Sequence, residues 1–239
     1  MQLKLKFNLD SPLEIPMNYK YQVQSALFSK LEEIGASEFW HSSGFGEAEI
    51  FKLFVPGPLT GNFTANNEDK KLIFEDSISL EIRSPLFEFC DDLQRSFELN
   101  SDFKLFDRKL SLAEMALTNY HINTESANFR TVTPILVITK TDGRQLQFIS
   151  PDDERFTQKL IDNFEKKFRA LYEEEPPQIE IKVIEPGRQV VSKYKAAVLV
   201  AHHCLLNIKA PPQALEFIYN CGLGNRNSQG FGMIRRTRN

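Results

Sequence analysis

The chain has 239 residues, 41% hydrophobic and 26% charged, with a net charge of −3. Those values exclude a disordered or fibrous polymer and leave one large domain or two small ones. Three cysteines, Cys90, Cys204 and Cys221, are too few and too far apart for a disulfide framework or a zinc site, and each is expected as a buried thiol. Apolar runs such as Ala196–Leu206 are too short to span a bilayer, and this one carries His202 and His203. The opening MQLKLKFNLD alternates and lacks the apolar block of a signal peptide. A soluble, cytoplasmic protein with no membrane partner is expected.

Residues 2–9 place Leu3, Leu5, Phe7 and Leu9 on one side and lysines on the other, a half-buried strand. Pro12 and Pro16 break it. Residues 18–34 carry apolar side chains at 23, 26, 27, 31 and 34, a helix with Gly35 as its C-terminal cap. Strands are predicted at 50–55, 71–74 and 77–83. Pro85 opens a helix over 86–99, and strand character returns over 103–112.

That order then recurs. A strand over 131–139 turns at Asp142-Gly143 and pairs with 145–149. A long helix spans 151–172, with apolar residues at 156, 160, 164, 168 and 171. Strands follow at 179–184 and 196–208, then a helix opened by Pro211-Pro212, a glycine-rich loop and a last strand over 232–237. Two βαββαβ halves imply an α+β fold of tandem ferredoxin-like domains, residues 1–122 and 127–239, with the helices on one face of each sheet.

The net charge argues mildly against nucleic acid, but its distribution matters more. From Gly222 to Asn239 stand Arg226, Arg235, Arg236 and Arg238 and no acid. The same stretch holds Gly222, Gly224, Gly230 and Gly232 within eleven residues, between helix and strand. Two readings stand for this loop. Its amides form a nest for phosphate, or its glycines let the helix pack closely on the sheet. It is neither a Walker loop nor a dinucleotide fingerprint.

The segment GLGNRNSQGFGMI resembles the G-rich loop of the RAMP superfamily, in particular the CRISPR-associated repeat-processing endoribonucleases of Cas family six. IPMNYKYQVQSALFSKL, FWHSSGF, FKLF and FKLFDRKLSL are similar to N-terminal motifs of that family. The resemblance implies cleavage of CRISPR repeat RNA in a precursor transcript, without metal or other cofactor. The RNA's 2′-OH attacks the adjacent phosphate and leaves a 2′,3′-cyclic phosphate and a 5′-OH. It also implies repeat RNA as the partner, adds subunits of a CRISPR effector complex as further partners, and leaves a homodimer open. The competing readings are a RAMP protein that binds RNA without cutting it, and an unrelated ferredoxin-like protein that binds a small phosphate ligand.

On this resemblance His41 is the catalytic histidine. An imidazole titrates near neutrality and moves protons, although beside Trp40 it also suits a packed helix end. Lys52 resembles a lysine set beside the scissile phosphate, where an ammonium stabilises developing charge; a solvated strand lysine is the plainer alternative. Phe28 departs from the family pattern, which has a tyrosine there in several members. Tyr21, two turns earlier, is the candidate substitute, with nearby Tyr19 as a second; the plainer alternative for either is a core or RNA-stacking ring. RNA contacts are expected from Gly222, Gly224, Arg226, Asn227, Ser228, Gly230, Gly232 and Arg235, and from a basic arm of Arg188, Lys193 and Lys195. His202 and His203 point to opposite sides of a strand and make no metal pair. His121 is expected in solvent.

Overall fold

Alternation in the first strand, β1 (Gln2–Asn8), buries Leu3, Leu5 and Phe7 and leaves Lys4 in solvent. The computed structural model describes residues 1–40, 44–47, 49–140 and 146–237. After β1 come β2 (Leu13–Pro16), α1 (Lys20–Glu32), β3 (Val55–Pro56), β4 (Phe63–Asn66), β5 (Lys71–Phe74), β6 (Ser77–Arg83), α2 (Phe87–Leu99), β7 (Asp102–Leu105) and β8 (Arg108–Thr118). The main sheet runs β3-β6-β1-β8-β7, and β2-β5-β4 make a small second sheet. Strands β3, β6, β1 and β8 have the spatial order of a ferredoxin-like unit, with α1 and α2 as its two helices.

Helix α1 exists because Val23, Ala26, Leu27 and Leu31 fall on one stripe, and all four are buried. It stops at Gly35, in left-handed backbone. The Ala36 amide reaches the Leu31 carbonyl and the Gly35 amide that of Glu32, a Schellman ending. In α2, Phe89, Leu93 and Phe97 pack with the α1 stripe onto Leu3, Leu5, Phe7 and Ile82. Each such side chain contributes about 1.5–3 kcal/mol on burial.

The second half contains β9 (Ser126–Thr131), β10 (Ile138–Lys140), β11 (Leu146–Phe148), α3 (Arg155–Tyr172), β12 (Glu180–Tyr194), β13 (Ala197–Lys209), α4 (Pro212–Cys221) and β14 (Ile234–Arg236). Its sheet order, β12-β13-β9-β14, repeats the ferredoxin arrangement, and β10 pairs with β11 apart from it. Phe156, Leu160, Phe164 and Phe168 of α3 and Leu215 and Ile218 of α4 cover Phe129, Leu206 and Ile208. Leu53 from the first half belongs to this second core.

Several predicted elements are corrected. Residues 50–55 form only the Phe45–Phe51 bridge and β3, because Leu53 takes positive φ. Residues 103–112 are a hairpin, β7 and β8, turned at Phe106 in left-handed backbone. The strand predicted at 131–139 ends at Thr131, ahead of Pro134, and β9 begins earlier, at Ser126. Helix α3 starts at Arg155, because Asp153 caps the Arg155 amide at 2.9 Å. Strand β12 runs on to Tyr194 through two bulges around Pro186-Gly187, so Arg188 and Lys193 lie in a strand and not a loop. The expected turn at Asp142-Gly143 lies outside the described residues.

Arg83 joins the halves. Its side chain is wholly buried, donating from Nε to Glu81 at 2.6 Å and from Nη1 to the Ile234 carbonyl at 2.6 Å. Its guanidinium carbon lies 3.9 Å from the centre of the Tyr219 ring.

Candidate active site

One face of α1, formed by Tyr21, Gln24, Ser25 and Phe28, looks into a cavity of about 920 Å³. The spacing of three, one and three residues is that of a single helix face. The other walls are residues 49–53, Ile138–Lys140, the β12–β13 turn at 194–197, and the loop residues 224–229. The cavity therefore lies where both halves meet.

Lys52 lines this cavity, and burial lowers its ammonium pKa. Gly44 shows where that ammonium points: a Cβ on Gly44 would lie 3.4 Å from Lys52 Nζ. Lys52 is thus beside the segment that follows His41. His41 itself, with Ser42 and Ser43, lies outside the described residues. Tyr21 is 36% exposed; its ring meets Tyr194 edge-on at 5.6 Å, and Lys195 Nζ lies 4.6 Å from the ring centre. Phe28 also faces the cavity, packed edge-on to Phe54 at 5.9 Å. Phe28 is therefore on the wall of the same cavity as Lys52 and Tyr21.

The glycine-rich loop is built inward. The amides of Gly222, Leu223, Asn225, Gly230 and Gly232 are bonded to the carbonyls of Ile218, Gly232, Leu136, Asn227 and Pro134. A Cβ on Gly224 would come within 2.5 Å of the Leu136 carbonyl oxygen, so close packing requires glycine there. Those five amides are not free for an anion, which favours the packing reading of the loop. Asn227 is buried, donating to the Leu223 and Phe231 carbonyls at 2.9 and 3.0 Å. Asn225, Arg226, Ser228 and Gln229 are the loop residues left partly exposed at the cavity, and Gln24 donates to Ser228 Oγ at 3.1 Å. Gln24 also accepts the Tyr194 hydroxyl, so one residue of α1 ties the loop to the hairpin tip.

Comparison with known proteins places this arrangement. Residues 117–235 match the family model described as "CRISPR associated protein Cas6, C-terminal". The curated protein "CRISPR-associated endoribonuclease Cas6 1" of Methanocaldococcus jannaschii is 23% identical over 98% of this chain and 92% of its own length. A second protein of that organism, "CRISPR-associated endoribonuclease Cas6 2", is 25% identical over 98% of each. The solved structure "Characterization of a Cas6-related gene from Pyrococcus furiosus" superposes with a TM-score of 0.85 at 21% identity, covering 100% of this chain and 98% of that one. "An RAMP protein binding different RNA substrates" gives 0.83 at 20% identity with full coverage of both. This chain belongs to the Cas6 family.

The Cas6 model takes in the glycine-rich loop but not His41, Lys52 or Tyr21, which lie before residue 117. Of the predicted RNA-binding residues, Gly224, Arg226, Asn227, Ser228 and Lys195 line the cavity. Gly222, Gly230 and Gly232 are buried behind it. Arg188 lies in a separate cavity of about 280 Å³ with Thr131 and His203. Arg235 lies in another of about 700 Å³ and pairs with Glu81 at 3.3 Å. Lys193 meets the segment ahead of α1 through its backbone, its amide donating to Asn18 Oδ1 at 3.1 Å.

His202 is buried and His203 contacts Thr131 Oγ1 at 2.9 Å, opposite placements as expected of strand neighbours. The three cysteines are buried free thiols, and burial raises Cys204 to about 12. His121 is exposed, 3.4 Å from Glu216. Among the described residues no helix is long and apolar enough to cross a membrane.

Two lysines escaped sequence reasoning. Lys167 of α3 is 3% exposed, and Lys20 is packed over the Phe231 ring, 3.7 Å from its centre. Lysine reads as solvated on an amphipathic helix. The signal available was position: Asn163 and Lys167 fall one turn apart along the edge of the 156–168 apolar stripe.

Proposed function

We propose that this chain is an endoribonuclease that cuts CRISPR repeat RNA in its precursor transcript. The observation that carries the reading is the shared cavity, which brings Tyr21 of α1 and Lys52 together with Lys195, Arg226 and Ser228. Its relatives are named endoribonucleases over nearly the full length of the chain. On this reading the RNA crosses the cavity with the scissile phosphate near Lys52 and Gly44. His41 moves the proton of the 2′-OH or of the leaving 5′-oxygen. Lys52 stabilises the charge that builds on the phosphate, and Tyr21 takes the place of the hydroxyl absent at Phe28. The reaction is an internal transesterification that needs no metal, leaving 2′,3′-cyclic phosphate and 5′-OH ends. The units that act are residues 1–122 and 127–239, in the cytoplasm. Effector subunits are later partners for the bound product, and a homodimer is a further state of the same reading.

Phe28 on the cavity wall favours one second reading, an RNA-binding RAMP protein that does not cut. End-labelled repeat RNA incubated in EDTA separates the two. We expect one cut with a cyclic phosphate end, slowed at least about tenfold in His41→Ala. A gel shift without cleavage supports the second reading. Neither a shift nor a cut from folded protein refutes both.

A further inference from the structure

The glycine-rich loop is held from two sides by lysines of different halves. From α3, Lys167 Nζ donates to the Gly222 carbonyl at 3.1 Å, the Gly224 carbonyl at 2.8 Å and Asn227 Oδ1 at 2.6 Å. These three bonds use the full donor capacity of an ammonium. From α1, Lys20 Nζ donates to the Gly230 carbonyl at 2.9 Å. The loop oxygens named here are turned toward lysines, and Arg226, at the apex in left-handed backbone, stands between the two anchored arcs.

Among the described residues neither lysine is matched by an acid of its own. Among the described residues, Lys167 and Lys20 have neutral oxygens as hydrogen-bond partners, and Glu49, whose field reaches Lys167, pairs with Lys166 at 3.4 Å. A cation buried against dipoles alone is costly. A fold has reason to keep one where it fixes a backbone shape and adds positive potential to a surface that meets an anion. Lys167 itself lines the central cavity.

We propose that Lys167, opposed by Lys20, is a positioning residue that holds the loop in the one shape in which Arg226, Ser228 and Gln229 face an RNA phosphodiester chain in the cavity. The proposal rests on the repeat-RNA reading for its ligand but not for the loop geometry. Neither lysine need touch the reacting atoms. Removing Lys167 therefore weakens RNA binding and leaves the chemical step intact.

The test uses Lys167→Met and Lys20→Met in the full chain. Amide hydrogen exchange without RNA, below neutral pH, reads the loop alone. We expect the amides of Leu223, Asn225, Gly230 and Gly232 to exchange at least about tenfold faster, with α3 and the sheets unchanged. With repeat RNA, KM should rise about tenfold while kcat at saturating RNA stays within about threefold, the pattern of lost uniform binding. Unchanged loop exchange in a folded variant overturns the proposal, as does a fall in kcat at constant KM. If Lys167→Met does not fold, the Lys20→Met exchange decides by the same criterion. If wild-type protein neither binds nor cuts repeat RNA, the functional reading fails, and the exchange result still decides whether the lysines hold the loop.

Discussion

Gly35 and Gly232 both take positive φ, yet they are glycine for different reasons. Around Gly35 a Cβ would meet nothing within 4 Å, so alanine there meets only left-handed strain, about 1–2 kcal/mol. At Gly232 a Cβ would collide with the Leu223 carbonyl oxygen, a backbone atom that cannot swing away. Gly232→Ala is therefore expected to lose roughly 3–5 kcal/mol, strain and overpacking together. Urea unfolding of the two variants measures the contrast; equal midpoints would remove the steric argument. Sequence reasoning located both glycines. It read Gly35 as a cap but left the loop glycines between a phosphate nest and close packing, because the Leu223 oxygen becomes a neighbour only once the loop has folded back. Phe28 and Tyr21 were legible as neighbours on one helix face from their spacing. Lys167 was legible only as an edge position of the α3 stripe, since three acceptors from one distant loop leave no trace in local pattern.

At the scale of elements, periodicity located the four helices because each buries an apolar stripe, and α3 ends at the predicted Tyr172. It failed where a turn lacked turn residues. Phe106 and Lys195 adopt left-handed backbone without being glycine or asparagine, so two hairpins carried no signal at their turns. It failed in the opposite sense at Pro186-Gly187, which reads as a turn and is a bulge inside β12. The start of α1 makes a prediction of its own. Burial lowers the Lys20 pKa to about 7, while an unfolded lysine titrates near 10.4. Between those values the unfolded chain holds the extra proton, so the contribution of Lys20 to stability rises with pH from about 7 to about 10. His203, the titratable group that feels Lys20, is itself lowered by burial and by Arg188, and so is already neutral across that window. Denaturation midpoints measured through the window should rise more in wild type than in Lys20→Met. Parallel curves would show that the amine is not desolvated.

For the whole molecule, the tandem ferredoxin-like order was legible because the order of strands and helices recurs along the chain. How the halves join was not. Arg83 closes strand β6 and looks, in sequence, like an ordinary polar end; in space it bridges Glu81, the Ile234 carbonyl and the Tyr219 ring. Arg83→Met leaves Glu81 with Arg235 alone and the Ile234 carbonyl without its donor, and is expected to cost about 1–3 kcal/mol. The only tryptophan, Trp40, is buried in the first core and reports that half by fluorescence, while circular dichroism reports both. The two unfolding curves should coincide in wild type and separate in the variant. Coincident, unshifted curves would mean that the halves are joined elsewhere.

Strand β12 is the outermost strand of its sheet and fifteen residues long, about 50 Å of backbone at a strand's rise. A flat edge of that length would be an open template for another chain. The two bulges, Pro186, and the charges of Lys182, Glu185, Arg188 and Lys193 interrupt it along its length. Straightening that edge, with residues that pair well in place of Pro186 and Gly187, would improve one ladder inside the molecule. It would also turn a protein that ends at its own surface into one whose sheet has no reason to stop there.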